Sequence, residues 1–308
     1  MRILHGPLDY GGQGSKLSRA QRELGQKSDC AVFRPSFSRF PADFILKDER
    51  GIWTRQRKLF FLLKCLRDYD IFHLHSESFF ASEFKDIPLL KKMGKKIIFH
   101  FHGSEIRGKT MHPRIRLSHA LLISTPDLFR YAPEATWLPQ PIDLEYWKPR
   151  SDYKPGEKLT IIHAPTDREK SGTDFIISII EELKKEGYPL VLSIIEKQPY
   201  EKLKPYYQAA DIFLDKIRLG IGYGNIAIEG MALKKPVCVF IDEEFVPFYP
   251  KELPVVNTPS VNLKQNLKRL IEDEKLRKEL GEKGRVYVER YHEVKKVALK
   301  CLSIYRNC

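Results

Sequence analysis

Along the chain, short β-branched or aromatic runs alternate with longer stretches whose apolar residues recur every three or four positions, a pattern that predicts a parallel sheet with covering helices. In the first half, Arg2–His5, Cys30–Phe33, Ile71–Leu74, Lys96–Phe101 and Ala120–Ser124 predict strands, and Ser15–Leu24, Gln56–Arg67 and Ser82–Met93 predict helices. A fresh series follows, with strands at Leu159–His163, Leu190–Ile195, Ile212–Leu214 and Pro236–Phe240. Its predicted helices are Asp174–Glu186, Pro199–Ala209, Asn225–Ala232 and Leu263–Asp273. Between the two series, the segment from Pro139-Gln140-Pro141 to Lys154-Pro155-Gly156 carries four prolines and few apolar residues. Proline fixes the backbone and lacks an amide donor, so this segment reads as a linker with a boundary near residue 150. The expected division is therefore 1–150, 151–285 and a basic, helical tail at 286–308. That tail has no strand of its own and is expected to pack back on the first domain. The fold class is α/β, with two Rossmann-like doubly wound domains and a cleft where strand C-termini and helix N-termini meet a ligand.

Composition narrows the class of protein. A chain of 308 residues exceeds what one core usually organises, and 42% hydrophobic with 30% charged residues fits a globular protein. No run approaches the roughly 20 apolar residues needed to span a bilayer. The first residues enter a strand pattern directly, so no signal peptide is expected and the reading is cytoplasmic. Cys30, Cys65, Cys238, Cys301 and Cys308 are scattered without metal-ligand spacing, which implies free thiols and no metal site. The net charge of +13 is spread along the whole chain, and no nucleic-acid-binding signature accompanies it. An anionic membrane surface or a phosphate-bearing substrate are the other partners such charge admits. The stretch from Arg55 to Lys64 is basic and strongly apolar. A buried helix with snorkelling ends is favoured there over one lying on a membrane, which leaves a peripheral anionic-membrane contact open.

Four segments carry candidate chemistry. Gly220-Ile221-Gly222-Tyr223-Gly224-Asn225 follows a strand and precedes an apolar helix. Its glycines permit positive φ and close backbone approach, Asn225 is a suitable N-cap, and the helix start offers amides to a diphosphate. Glu229, about one turn further on, can accept hydrogen bonds from a sugar's hydroxyl pair. Gly11-Gly12-Gln13-Gly14 follows the first strand, but Leu17 stands where a dinucleotide fingerprint needs its third glycine. Gly12 and Gly14 therefore fit a loop contacting phosphate or acceptor better than an NAD site. His102, in His100-Phe101-His102-Gly103-Ser104-Glu105, closes the fourth strand and can face a donor sugar or an acceptor hydroxyl. The loop His163–Thr173 brings Arg168 and Lys170, cations able to neutralise a departing diphosphate.

Taken in order, the glycine loop, His102-Gly103-Ser104, Trp137-Leu138-Pro139, Arg168–Thr173 and Gly222–Glu229 resemble the GT-B glycosyltransferases of group 1 (family four) over nearly the whole chain. The most specific parts are Ala210-Asp211-Ile212-Phe213-Leu214-Asp215 and Glu229-Gly230-Met231-Ala232 followed by Lys235-Pro236-Val237. The resemblance implies a donor site mostly in the second domain, retention of anomeric configuration, metal-independent catalysis and a nucleotide diphosphate sugar as co-substrate, with no other cofactor. It places Glu229 on the donor ribose, Arg168 on the diphosphate, Gly12 near the phosphates and His102 toward the transferred sugar. His102, Arg168 and Lys170 are the catalytic candidates, and Gly12, Gly14, Gly222, Tyr223, Gly224, Asn225, Ile226 and Glu229 form the expected donor grip. Two positions depart from the family's pattern: Ile221 stands where another glutamate is common, and Ser171 where the lysine before Gly-Thr is usual, with Lys170 one place early.

The expected function is transfer of a sugar, UDP-linked by preference, to a carbohydrate or lipid-linked acceptor. A sugar-nucleotide epimerase and a catalytically silent nucleotide-sugar or glycan-binding protein are the alternatives. Nucleic acid is not an expected partner.

Overall fold

The computed structural model describes the chain outside residues 35–39, 47–51 and 152–155, with the side chains at 52–55, 57, 58 and 82 also outside the description. Two compact units result, one of Met1–Pro141 with Val294–Cys308 and the other of Ile142–Glu293.

The first unit is built on strands β1 (Arg2–Gly6), β2 (Lys27–Val32), β3 (Phe44–Ile45), β4 (Ile71–His75), β5 (Lys96–Phe101), β6 (Ala120–Ile123) and β7 (Thr136–Trp137). Its helices are α1 (Gln13–Glu23), α2 (Ile52–Asp68) and α3 (Asp86–Lys92). The strands run parallel in the order β3-β2-β1-β4-β5-β6-β7, so the chain reverses its direction of winding between β1 and β4. Such a switch point opens a crevice at the strand C-termini. The strand cores are apolar because helices cover both faces. Leu4, Phe72, Ile97 and Phe99 pack on one side, and Ile3, Ile71, Ile98 and Leu122 on the other.

The second unit has β8 (Leu159–His163), β9 (Leu190–Ile194), β10 (Ile212–Leu214), β11 (Val237–Val239) and β12 (Val256–Asn257). Its helices are α4 (Arg168–Ser171), α5 (Thr173–Lys185), α6 (Leu203–Gln208), α7 (Asn225–Ala232), α8 (Leu263–Glu272) and α9 (Glu274–Tyr291). The order β12-β11-β10-β8-β9 puts the switch point between β8 and β10. Helix α7 lies between β10 and α9 because small residues let it approach. A Cβ on Gly281 would stand 2.1 Å from the Lys234 carbonyl oxygen, and one on Gly230 would stand 2.7 Å from the Phe213 ring. Overpacking at such a point typically costs about 1–3 kcal/mol.

The last helix, α10 (Val294–Asn307), returns to the first unit, where Val297, Ala298, Cys301, Leu302 and Tyr305 pack with Leu17 and Ala20 of α1. The basic tail is thus two elements divided near residue 293 rather than one helix from 286. At the break the Ile142 amide donates to the His292 carbonyl, and Ile142 pairs with Glu293. The division between units likewise falls at Pro141 and not near 150. Residues 142–148 belong to the second unit, where Trp147 is fully buried and stacks on Tyr207. Lys154 and Pro155 of the expected linker lie outside the described residues.

Three helices differ from the pattern reading. The expected Pro199–Ala209 helix opens with a 3-10 turn at Tyr200–Lys202 and is α-helical only from Leu203. The expected Ser82–Met93 helix splits, because Glu83 and Phe84 take left-handed φ of 55° and 56° before α3 begins. Helix α2 is not buried all round. Cys65 is buried and Phe61 packs on the core, whereas Leu59, Phe60 and Leu63 are 55%, 72% and 55% exposed. The side chains of Arg55, Arg57 and Lys58 lie outside the described residues. No described helix is long and apolar enough to cross a membrane.

Candidate functional site

In the second unit, β10 ends at Leu214 and the chain turns through Asp215–Gly224 into α7, beside the switch point at β8. Gly222 takes φ +90°, and a Cβ there would stand 2.0 Å from the Tyr249 hydroxyl. A side chain is excluded on both conformational and steric grounds. The N-cap is Gly224, with Asn225 the first residue of the helix, and no side chain caps the helix start. This corrects the expectation of an Asn225 cap: the extended φ of −109° at Gly224 already ends the turn, so Asn225 is helical. The Gly224 amide donates to Asp215 Oδ2 at 2.5 Å. Asp215 is matched in turn by Lys216, whose Nζ lies 3.3 Å from its Oδ1. The helix amides beyond the cap carry the partial positive charge that attracts an anion.

Within this turn the expected residues separate by role. Tyr223 is buried and points inward, its hydroxyl meeting His292 Nε2 at 2.9 Å and the Tyr287 hydroxyl at 3.1 Å. Only its backbone is left to a ligand. Ile226 is buried as well, and Ile221 is half-buried and bridges to Ile241. Glu229 is buried, and its negative charge holds the phenols of Tyr146, Tyr200 and Tyr207 above their ordinary range, after burial as the larger cause. Tyr146 and Tyr200 stack at 5.6 Å, and Tyr200 accepts from Trp147 Nε1 at 2.5 Å, so an aromatic wall neighbours the Glu229 carboxylate.

The expected Arg168–Thr173 loop is instead the short helix α4, capped by Asp167, followed by the start of α5, and it packs against the residues entering the glycine turn. A Cβ on Gly172 would stand 3.1 Å from Ile217, and the Ile217 amide donates to the Ser171 carbonyl. Arg168 forms a fork with Glu196, Nε to Oε1 at 2.9 Å and a second nitrogen to Oε2 at 3.1 Å. That contact raises the arginine's pKa and lowers the glutamate's. Lys170 is the more exposed cation, its Nζ 3.5 Å from Asp167 Oδ2. Ser171 is buried, so a lysine could not occupy that position without displacing the packing. His163 closes β8 by bonding the Leu214 carbonyl and the Thr173 hydroxyl, both at 2.9 Å, and burial lowers its pKa.

The glycine turn of the first unit is arranged differently. Gly14 is the second residue of α1, and its amide donates to Asp9 Oδ1 at 2.7 Å, while the Ser15 hydroxyl donates to Asp9 Oδ2 at 2.6 Å. The chain's own carboxylate thus stands where a phosphate would sit, and burial raises its pKa. Gly12, at φ +73°, faces the Phe40 ring. Neither glycine offers the open phosphate cradle expected of it.

His102 also differs from expectation. Its Nε2 pairs with His75 Nδ1 at 2.9 Å and its Nδ1 with the Ser124 hydroxyl at 2.9 Å, so both ring nitrogens are engaged inside the unit and none faces a sugar. Glu105 bonds the amides of His102 and Gly103 and holds this strand end.

No family model and no curated protein matches the sequence. Solved structures do match along its whole length. HepE of Anabaena, in complex with UDP and glucose, is 10% identical over 100% of both chains, with a TM-score of 0.72. A sucrose-phosphate synthase of Thermosynechococcus elongatus is 15% identical, covering 100% of this chain and 99% of that one, with a TM-score of 0.69. A protein of Listeria monocytogenes assigned as a UDP-N-acetylglucosamine 2-epimerase is 12% identical, covering 99% of this chain and 95% of that one, at 0.61. The chain has the GT-B fold.

Within this GT-B chain, sequence reasoning missed two groups. Lys216 follows Asp215 at the end of β10, and its ammonium would stand 2.8 Å from a Cβ on Gly224, directly beside the glycine turn. Two cations, Lys216 and Arg218, between a buried strand and a glycine-rich turn were the available signal. The second group is a set of five histidines, His5, His73, His75, His100 and His102, on one face of the first sheet. The i, i+2 spacing puts His73 with His75 and His100 with His102, but only the register of β1, β4 and β5 brings the two pairs and His5 together.

Proposed function

We propose that the chain is a retaining glycosyltransferase that takes a hexosyl unit from a nucleotide diphosphate sugar, UDP-linked by preference, to a carbohydrate or lipid-linked acceptor. The observation that carries this reading is the start of α7: a glycine turn at a topological switch point, uncapped by any side chain, with Lys216 beside it and Glu229 one turn further in. A diphosphate fits the amides and the lysine, and a ribose diol fits the carboxylate. In the transfer, the bond between the sugar's C1 and the diphosphate oxygen breaks, and the acceptor oxygen bonds C1 from the same face. The acceptor proton passes to the departing phosphate. The charge that develops on the diphosphate meets the α7 amides, Lys216 and Lys170, and Arg168 joins them by leaving Glu196. No metal ion is required in this scheme. The whole-length likeness to HepE, solved with UDP and glucose, supports the donor class.

The exposed Leu59, Phe60 and Leu63 of α2 support a peripheral contact with an anionic membrane, where a lipid-linked acceptor would be met at the cytoplasmic face. An epimerase is the second reading, favoured by the Listeria likeness. Incubation with UDP-sugars, with and without an acceptor panel, separates the two. Transfer products appearing only with acceptor support the proposal, and an epimerised nucleotide sugar formed from donor alone overturns it.

A further inference from the structure

Parallel register sets His5 beside His73 and His75 beside His100, and strand alternation keeps the pairs His73/His75 and His100/His102 on that same face. Their ring nitrogens form one unbroken chain. His5 Nε2 meets Gln21 Oε1 at 2.9 Å, His5 Nδ1 meets His75 Nε2 at 3.2 Å, and His75 Nδ1 meets His102 Nε2 at 2.9 Å. Ser124 Oγ links His102 Nδ1 to His100 Nε2, and His100 Nδ1 meets His73 Nε2 at 3.1 Å. Because Gln21 Oε1 can only accept, His5 must carry its proton on Nε2, and the same tautomer follows for each ring in turn.

We propose that His75, His100 and His102 form a binding site for a divalent transition-metal ion of the zinc class, with His75 as the central ligand. Each ring offers one nitrogen, and the three lie within 4.8 Å of one another. The 2.9 Å between His75 Nδ1 and His102 Nε2 is a few tenths short of the N···N edge of a tetrahedral zinc site, about 3.3 Å for Zn–N of about 2.0–2.1 Å. The ion therefore takes the place of the hydrogen bond between these rings: the His102 proton moves from Nε2 to Nδ1, facing Ser124 Oγ, the Ser124 hydroxyl turns to Gln13 Oε1, and the three nitrogens, up to 4.8 Å apart, close around the ion. An all-imidazole donor set suits Zn²⁺, Co²⁺, Ni²⁺ or Cu²⁺ and disfavours Mg²⁺ and Ca²⁺.

The surroundings are those of a ligand shell already held in place. His75 keeps its Nε2 on His5, which is fixed by Gln21, and His102 keeps its Nδ1 on Ser124. Partners of this kind orient metal-bound imidazoles. Ser124 also contacts Gln13 Oε1 at 3.3 Å, and Gln13 Nε2 is completely buried with no hydrogen-bond partner. A water in the ion's fourth position would satisfy that donor. His102 is the one ring of the five with residual exposure, and it marks the way in, with the Tyr10 ring tilted against it at 4.9 Å. A hydrogen-bonded imidazole chain alone adds little net stability and leaves the Gln13 donor unanswered.

The site belongs to the first unit and does not depend on the donor reading, so its test needs no activity. Metal-stripped full-length protein is titrated with Zn²⁺ by calorimetry and with Co²⁺ by visible absorption. The expected result is one ion per chain, the ligand-field bands of a nitrogen-rich cobalt site and a zinc-dependent rise in Tm. His75→Gln is expected to abolish the stoichiometric event and Ser124→Ala to weaken it by about 10–100-fold. His119→Gln, outside the cluster, leaves it unchanged. Should His75→Gln fail to fold, imidazole ¹⁵N spectra of the wild type decide: zinc must shift His75 Nδ1 and His102 Nε2. Five rings that stay in the Nε2–H form at excess zinc, or binding that survives His75→Gln, overturn the proposal.

Discussion

The chain has two glycine-rich strand-to-helix turns, and they treat the helix N-terminus in opposite ways. At α1, Asp9 bonds the second and third helical amides, Gly14 and Ser15, and so fills the anion position from within. At α7, Asp215 bonds only the cap amide of Gly224, is offset by Lys216, and leaves the helical amides without a side-chain cap. Both turns share their glycines, the parallel-strand context and a nearby lysine. What separates a structural turn from a binding turn is which amide the local carboxylate reaches.

The α7 turn is most sensitive at Gly222. Gly222→Ala adds about 1–2 kcal/mol of left-handed backbone strain and a clash with Tyr249, so UDP affinity measured by calorimetry should fall by at least about 100-fold. Glu229→Gln removes a charged acceptor whose hydrogen bonds are worth about 1.5–3 kcal/mol, and UDP-sugar affinity should fall by about 10–100-fold. The loss should be much smaller for a ligand lacking the ribose diol. Lys216→Met should weaken UDP by about tenfold while leaving uridine binding unchanged, since only the diphosphate feels the ammonium.

At the α1 turn the decisive residue is Asp9. Asp9→Ala empties the α1 position, and phosphate binding in the millimolar range should appear where the wild type shows none, read by NMR shifts of Gly14 and Ser15. The pH response follows from the raised Asp9 pKa. Between the unfolded value near 4 and the higher folded value, the native state binds more protons. Stability therefore falls as pH rises through that window, by about 1.4 kcal/mol per unit for one proton. Asp9→Asn should flatten this slope in urea melts run from pH 4 to 7.

Much of the frame was legible because it depends on local pattern. β5, β8, β10 and α7 sit where the apolar runs place them, since a strand buried on both faces must be continuously apolar and α7 starts straight after a glycine turn. β2 begins three residues earlier than its apolar part, at Lys27-Ser28-Asp29, because ladder bonds to β1 do not require apolar side chains. The break between α9 and α10 has no local signal, as it is made by Ile142 pairing with residues 150 positions away. The same limit hid the histidine chain and the Asp9 plug. Gly12 and Gly14 announce a turn, but only the fold shows that Asp9 already occupies it. His102 reads as an exposed strand end until His75 and Ser124 are seen to hold both its nitrogens.

Whether the donor diphosphate sits on α7 or on α1 is read directly by amide NMR of the full chain titrated with UDP. Saturable shifts are expected at Gly222, Gly224, Asn225 and Ile226, with Gly14 and Ser15 unmoved. Shifts at Gly14 and Ser15 with the α7 amides still would contradict the α7 placement.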